Sequence, residues 1–221
     1  MKIQIRAWYK KYAKRYIPRW MFALLNVLKR FLHIPFPESQ LAHHYLDGLS
    51  GLEIGASYHN PFGLRTRNVD YTDSDGQYYK KLERKIAGRS APVDIVAPGD
   101  VIPLSDESQD FVVSSHVLEH FPDPIKALKE WYRLICPGGY IFMIIPHKER
   151  TFDREFPRTT LQELVHRHEG KILAEPNVND HYSVWVTEDI TELIQYLGWK
   201  IVDVQDADDK AGNGFTVVVR K

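Results

Sequence analysis

The sequence predicts an α/β fold: a mostly parallel sheet of seven strands that ends in an antiparallel hairpin. Two observations carry this prediction. Short apolar runs alternate with amphipathic helical stretches between residues 49 and 146, and two further apolar runs, 199–204 and 214–219, lie close to the end of the chain. Strands that alternate with helices build parallel βαβ units. Two strands that follow each other without a helix pair antiparallel.

The clearest βαβ unit spans residues 110–146. The apolar run Phe111–Ser114 predicts a buried strand, and an amphipathic pattern predicts a helix over residues 124–135. Asp123 is a suitable N-cap for that helix and Pro124 a suitable first residue. A Pro-Gly-Gly turn then leads into a second apolar strand over residues 139–146.

The remaining elements follow from the same patterns. Strands are predicted near residue 51 and over 67–70 and 93–96, and helices over 77–88, 159–168 and 187–197. Residues 1–48 form a separate unit of two helices and a connector, and residues 49–221 form the main domain, with an insertion at 147–185 that the minimal fold does not need. An insertion of this length at a ligand-binding edge is typical of a substrate loop.

Polar residues follow three of the predicted strands. Glu53 and Gly55 end the first strand, Asp70 ends the second, and four polar residues follow strand 110–114: Ser115, His116, Glu119 and His120. Open α/β sheets bind their ligands along the carboxyl ends of their strands. We therefore expect these side chains to line a ligand site.

The spacing of the first two strands indicates a nucleoside. Asp70 follows Glu53 by 17 residues, close to the offset of about 20 at which a carboxylate accepts hydrogen bonds from ribose hydroxyls. A nicotinamide dinucleotide needs further glycines to seat its pyrophosphate, whereas here Gly55 is followed by Ala56 and Ser57, with Pro61 as a candidate first helical residue. S-adenosylmethionine has no phosphate, so the loop favours it. An NAD-linked oxidoreductase remains as a less favoured alternative.

At this point the chain resembles the class I S-adenosylmethionine-dependent methyltransferases of type 11, which have a Rossmann-like fold. The resemblance lies in five motifs: Leu-Glu-Ile-Gly-Ala-Ser (52–57), Val-Asp (69–70), the run at 102–112, Ser-His-Val-Leu-Glu-His (115–120) and Leu-Ile-Cys-Pro-Gly-Gly (134–139). The runs at 145–153 and 179–185 are similar to a subset encoded near surface-glycan genes.

The resemblance implies roles for individual residues. Glu53 would bind the methionine end of the cofactor, and Gly55, Ala56 and Ser57 would form its loop. Asp70 would hold the ribose. The remaining cofactor contacts it implies are Val96 and Ala97 at the adenine and Ser115, His116 and His120 along the pocket wall.

The insertion contains the candidate catalytic residues. An alcohol acceptor needs a base, and histidine is the usual one. His147 follows the fifth strand directly, Asp153 is a candidate to orient it, and His181 would enter from the far end of the insertion. Four arginines, at 150, 154, 158 and 167, are candidates to bind a phosphate or carboxylate on the acceptor. We expect no metal site, because these residues lack a tight ligand spacing such as His-x-x-x-His.

Charge and cysteine content indicate the compartment of the protein and the kinds of partner to expect. The 29 basic and 29 acidic residues cancel, yet residues 1–34 contain nine Lys or Arg and no acid. Basic amphipathic helices rich in Trp and Tyr are typical of membrane-surface elements, although they could equally cover the sheet, a partner or a second copy in a homodimer. The acidic body argues against nucleic acid. The single cysteine, Cys136, excludes an internal disulfide, and we expect a cytoplasmic protein, at most peripheral at the inner membrane.

Together these observations predict methyl transfer from S-adenosylmethionine, with S-adenosylhomocysteine as product. The expected reaction is O-methylation of a sugar, glycan or other small hydroxyl acceptor. A non-catalytic scaffold or regulator of the same fold, docked at a membrane or partner, remains the main alternative.

Overall fold

The computed structural model describes residues 36–74 and 76–221. The two predicted N-terminal helices, and the membrane or partner contacts expected of residues 1–34, lie outside the described residues. Within the described residues, no helix has both the length and the apolar character needed to cross a bilayer.

Seven strands form one sheet within the described residues. They are β1 (Gly51–Ile54), β2 (Thr66–Asp70), β3 (Ile95–Val96), β4 (Gln109–Ser115), β5 (Ile135–Pro146), β6 (Lys200–Gln205) and β7 (Gly214–Arg220). Their order across the sheet is β3-β2-β1-β4-β5-β7-β6. The first five strands pair in parallel, and β7 lies antiparallel between β5 and β6. The predicted Rossmann-like sheet with its antiparallel C-terminal hairpin is confirmed.

Helices cover both faces of the sheet. They are α1 (Gln40–Leu46), α2 (Tyr78–Ala87), α3 (Pro124–Leu134), α4 (Leu161–His168) and α5 (Thr187–Tyr196). The apolar sides of α3 and α5 pack with alternate side chains of β1, β4, β5 and β7 in the larger core cluster. On the other face, α1 and the Phe62 ring pack against β4 and β5 in a smaller cluster. Asp123 caps α3 as predicted, accepting a hydrogen bond from the Lys126 amide at 3.0 Å.

Local structure departs from the sequence prediction at three places. Helix α1 forms in the segment expected to be a connector, where its buried Ala42 and Leu46 cover the sheet. No helix starts at Pro61, because the loop instead inserts Phe62 into the core, 6.0 Å from the Phe142 ring. The predicted turn at 137–139 is part of β5, which already includes Cys136. Gly138 adopts a left-handed φ of 87° there, and the register with β4 shifts between Gln109 and Phe111, as in a β-bulge.

Trp131 tests the larger core cluster. Its side chain is fully buried, and its indole N–H donates to the Gly99 carbonyl at 2.7 Å. We expect Trp131→Ala to lower the free energy of unfolding by about 3–5 kcal/mol, because it leaves a cavity and an unpaired carbonyl. Urea denaturation measures this loss. Tyr196→Ala, at a side chain 56% exposed on α5, should change stability by less than about 0.5 kcal/mol; equal losses in the two variants would contradict the assigned core.

Candidate active site

The turn after β1 is shaped by Gly55. Its φ is 68°, in the left-handed region that favours glycine, and its amide donates to the Val69 carbonyl at 2.9 Å. A Cβ at this position would lie 3.1 Å from a methyl group of Val117. The chain can therefore turn sharply at the sheet edge and leave its backbone open to a ligand.

The loop that follows is held by side chains from two other elements. The Ala56 amide donates to Asn68 Oδ1 on β2 at 3.0 Å. Glu83 on α2 accepts hydrogen bonds from the Ser57 hydroxyl at 3.1 Å and the Tyr58 amide at 2.7 Å. The sequence analysis missed Glu83, whose only sequence cue is an acid on the inward side of an otherwise basic helix.

Glu53 is buried beside this loop, and its carboxylate has few hydrogen-bond partners. The Thr66 hydroxyl donates to its carboxylate at 3.2 Å. Burial raises the pKa of Glu53 to about 7, although Thr66 and the charge of Lys210 both act against this rise. Burial likewise lowers the pKa of Lys210, which donates to the Pro61 carbonyl, to about 8. A positively charged ligand group beside Glu53 would offset the cost of burying the carboxylate.

Asp70 ends β2 in an ion pair. One of its carboxylate oxygens lies 2.9 Å from Lys80 Nζ, and the Lys80 side chain is buried on α2. Lys80, which the sequence analysis did not single out, fixes the direction of the carboxylate and leaves the second oxygen for a ligand.

The end of β3 offers an apolar surface next to Asp70. Val96 pairs with Asp70 in the sheet and is 55% exposed, as is the Tyr71 side chain that follows Asp70. Ala97 is buried, and its amide donates to the Asp70 carbonyl at 2.9 Å. Val96 and Tyr71 are thus placed to contact a flat ring at the edge of the sheet, whereas Ala97 is buried beneath these two side chains.

Ser115 and His116 end β4 at the centre of the site. The Ser115 hydroxyl accepts a hydrogen bond from Asn60 Nδ2 at 3.0 Å, which ties the loop after β1 to this strand. His116 has a φ of 56°, a conformation that costs about 1–3 kcal/mol for a residue other than glycine and tends to occur at functional sites. Burial lowers the pKa of His116 to about 4. It is therefore neutral at physiological pH.

The insertion brings Asp153 and His181 together. His181 Nδ1 donates to Asp153 Oδ2 at 2.9 Å, and both side chains are buried. Burial lowers the pKa of His181, but the hydrogen bond and charge of Asp153 outweigh it and the pKa is raised. Burial raises the pKa of the Asp153 carboxylate, but the hydrogen bond and charge of His181, together with hydrogen bonds from Asn177 and Thr151, outweigh it and the pKa is lowered. The geometry is that of an oriented acid–base pair.

His147 lies with different neighbours from those expected. Asp153 was the candidate to orient it, but that carboxylate bonds to His181. The His147 ring packs edge-on against Phe215 with centroids 6.0 Å apart, and its Nε2 lies 4.0 Å from Asp206. Burial, and then the charge of Arg150, lower the pKa of His147.

Glu119 and His120 complete the wall that faces the insertion. His120 Nδ1 donates to the Asp180 carbonyl at 2.9 Å, and the ring lies between those of Tyr79 and His181, at centroid distances of 5.7 and 4.8 Å. Glu119 is fully buried, and neither carboxylate oxygen has a hydrogen-bond partner. Burial raises the pKa of Glu119 to about 7. The sequence analysis placed Glu119 at this edge without a role.

The arginines of the insertion bind protein groups. Arg150 pairs with Asp206 at 2.9 Å, Arg158 with Asp189 at 3.1 Å, and Arg167 with the Tyr182 carbonyl at 2.9 Å. Arg150 and Arg158 therefore brace the insertion against the body, whereas Arg167 ties two segments of the insertion together. These roles compete with the predicted binding of an anionic acceptor.

Comparisons with known proteins agree with this fold. A family model described as a methyltransferase domain matches residues 52–143. No curated protein sequence matches the chain significantly. A SAM-dependent methyltransferase from Aquifex aeolicus has a similar structure, with 18% identity, 81% of this chain and 86% of that chain covered, and a TM-score of 0.51.

Two further solved structures share the fold. One is a SAM-dependent methyltransferase from Thermotoga maritima, described as a possible histamine N-methyltransferase, with 19% identity, 91% and 97% of the two chains covered and a TM-score of 0.51. The other is the [4+2]-cyclase SpnF, with 14% identity, 82% and 78% covered and a TM-score of 0.52. The family match, the solved structures and the strand order show that the chain has the fold of class I S-adenosylmethionine-dependent methyltransferases, and they imply S-adenosylmethionine as the cofactor. The resemblance to glycan-cluster members stays a prediction.

The raised pKa of Glu53 predicts a measurable pH dependence of stability. Between the usual pKa of 4.5 and the folded value of about 7, the folded protein binds more protons than the unfolded chain, so this group makes the free energy of unfolding fall as the pH rises. Glu53→Gln removes that fall. Its stability relative to the parent should therefore rise between pH 4.5 and 7, by on the order of 3 kcal/mol.

Urea denaturation at several pH values measures this difference. Glu175→Gln, at an exposed acid of the insertion, is the matched control and should show no such trend. A constant difference between Glu53→Gln and the parent across this range would show that Glu53 titrates as an ordinary carboxyl.

Proposed function

We propose that the protein transfers the methyl group of S-adenosylmethionine to a hydroxyl group of a small acceptor, most simply a sugar or other glycan. The observation that carries this proposal is the buried Asp153–His181 pair, at 2.9 Å. It lies on the insertion next to His120, one of the residues that follow β4 at the carboxyl edge of the sheet. A pair of this kind suits an acceptor that must lose a proton as it reacts.

The cofactor would lie along the ends of β1, β2 and β3. Glu53 would bind its positively charged methionine end, Asp70 its ribose hydroxyls, and Val96 and Tyr71 the adenine. Gly55 supports this placement because it adopts a left-handed φ without strain and has no side chain to obstruct a ligand. Ala56, Ser57, Ser115, His116 and His120 would line the rest of the pocket.

The reaction would be an in-line displacement at carbon. The acceptor oxygen attacks the methyl carbon, the carbon–sulfur bond breaks with its electron pair moving to sulfur, and S-adenosylhomocysteine leaves. The hydroxyl proton passes to His181 Nε2, because Nδ1 is already bonded to Asp153. Asp153 would stabilise the imidazolium that results, and positioning of the two reactants would supply much of the rate. His147 is the second candidate base, at the end of β5.

The identity of the acceptor rests on the site rather than on the relatives. The Thermotoga protein is described as a possible amine methyltransferase and SpnF as a cyclase, so the shared fold does not fix the reaction. The basic N-terminal segment supports an acceptor at the inner membrane surface, such as a lipid-linked sugar, because positive charge is attracted to anionic lipids.

Cofactor binding is the first test. Calorimetric titration of the full chain with S-adenosylmethionine and S-adenosylhomocysteine should give micromolar binding of both. Asp70→Asn keeps the size of the side chain but removes its charge, and it should weaken binding by about 1–3 kcal/mol through loss of a charged hydrogen-bond partner. Asp73→Asn, at an exposed acid three residues further on, should bind as the parent does.

The titration separates the alternatives. Failure to bind either compound would favour the scaffold interpretation, and quenching of reduced nicotinamide fluorescence would revive the oxidoreductase. Normal affinity in Asp70→Asn would place the ribose elsewhere.

The acceptor side is tested by methyl transfer. A screen of sugars, lipid-linked sugars and phosphorylated sugars with radiolabelled cofactor should identify a substrate. With that substrate, His181→Ala should lower kcat by about 10²–10⁴-fold, the usual contribution of a general base, and leave cofactor affinity unchanged. His44→Ala, at an exposed histidine on α1, is the control. Full activity of His181→Ala together with a loss in His147→Ala would assign the base to His147 instead.

A further inference from the structure

Three potential metal ligands converge where the loop after β4 meets the insertion. The ligand atoms of Glu119, His120 and His181 all lie within 4.8 Å of one another. We propose that these three side chains bind a divalent transition-metal ion. Binding of the ion can be measured whether or not the protein transfers methyl groups, and only the catalytic role given to the ion below rests on the proposed function. A bound ion would occupy His181 Nε2, so it would replace His181 as the group that activates the hydroxyl.

Glu119 supplies an observation that is independent of the clustering. It is 0% exposed, and neither of its carboxylate oxygens accepts a hydrogen bond. The nearest ion-pair partner is His120, whose Nε2 lies 3.8 Å from Glu119 Oε1. Buried carboxylates are normally paired, hydrogen-bonded or bound to a metal. A cation at this position would provide the missing partner.

Both histidines are oriented as metal ligands are. His181 Nδ1 bonds to Asp153 at 2.9 Å, and His120 Nδ1 bonds to the Asp180 carbonyl at 2.9 Å. Each ring therefore has Nε2 free to bind. A ligating histidine almost always donates its other ring N–H to a carboxylate or carbonyl in this way, because that bond fixes the tautomer and the ring direction.

The backbone holds the two halves of the cluster together. The Tyr182 amide donates to the Glu119 carbonyl at 2.8 Å, which joins the insertion to the loop after β4. Asp180, whose carbonyl orients His120, has a left-handed φ of 61°. A non-glycine residue held in this conformation indicates that the surrounding structure fixes the turn.

The ligand chemistry selects the class of ion. Two imidazole nitrogens and one carboxylate suit Mn²⁺, Fe²⁺, Co²⁺ or Zn²⁺, whereas Mg²⁺ and Ca²⁺ prefer oxygen ligands. Ligands at about 2.1 Å from a metal lie at most about 4.2 Å apart, so the cluster would contract by several tenths of an ångström on binding. Three protein ligands leave open positions for water or substrate.

Those open positions suggest what the ion does. An acceptor with two neighbouring oxygen atoms, such as a vicinal diol, could bind it through both. The ion would lower the pKa of a bound hydroxyl, so that the proton leaves to water. The oxygen then attacks the methyl carbon, and the electron pair of the carbon–sulfur bond goes to sulfur. When the ion is bound, His181 is one of its ligands, and water rather than His181 accepts the hydroxyl proton.

The test is a metal titration of the full chain. After removal of metals with a chelator, calorimetry with Mn²⁺, Co²⁺ and Zn²⁺ should show one equivalent bound with micromolar or tighter affinity, and Co²⁺ should give visible absorption bands typical of nitrogen and oxygen ligands. Glu119→Gln and His120→Asn should each weaken binding at least 10-fold, since loss of one of three ligands leaves an incomplete site. His44→Asn, at the exposed histidine on α1, should bind as the parent does.

A cooperative urea unfolding transition in the absence of metal checks that each variant is folded, because His120 is also assigned to the cofactor pocket. Normal cofactor binding with no stoichiometric metal, or with equal metal affinity in the parent, Glu119→Gln and His120→Asn, would overturn the metal site while the methyltransferase proposal stands. Metal binding that depends on Glu119 and His120 in a protein that binds no cofactor would support the site and remove the proposed function. Should one variant fail to fold, the other variant and the Co²⁺ spectrum of the parent decide.

Discussion

The contact between the loop after β4 and the insertion is the constraint on which the acceptor side of the site depends. Two hydrogen bonds make it: the Tyr182 amide donates to the Glu119 carbonyl at 2.8 Å, and His120 Nδ1 donates to the Asp180 carbonyl at 2.9 Å. His120 follows Glu119 and His181 precedes Tyr182, so these contacts set the two imidazoles with their ring centroids 4.8 Å apart. His168 holds the insertion down on the body through Asp123 at the start of α3, and Arg167 ties two segments of the insertion together through the Tyr182 carbonyl. The site is thus completed by tertiary contacts, on a sheet edge that local structure has already formed.

The difference between local and tertiary determinants explains how much the sequence could predict. The strands and α3 follow from apolar periodicity and from caps such as Asp123, all of which are encoded within about ten residues. The carboxyl ends of the strands then place Glu53, Gly55, Asp70 and Ser115 at one edge without further information. No helix forms at Pro61 because Phe62 is buried in the smaller core cluster, against Phe142 of β5. The residues around Pro61 carry no information about this distant contact.

The partners of the site residues could not be predicted in the same way. Lys80 binds Asp70, Glu83 holds the loop after Gly55, and Asp153 binds His181 rather than His147. Each of these contacts joins different elements of the fold, so no spacing in the sequence reports it. The same limit applies to Glu119, His120 and His181. A test for ligands at short helical spacing cannot detect a cluster whose members come from a turn after β4 and from the far end of an insertion.

The two buried carboxylates at this edge share one electrostatic property. Glu53 and Glu119 are both buried with few partners, and burial raises the pKa of each to about 7. A protein can keep such groups only where something else offsets their desolvation, and a bound cation does so most directly. The amino group, which S-adenosylmethionine and S-adenosylhomocysteine both carry, would offset the burial of Glu53, and the proposed metal ion would offset that of Glu119.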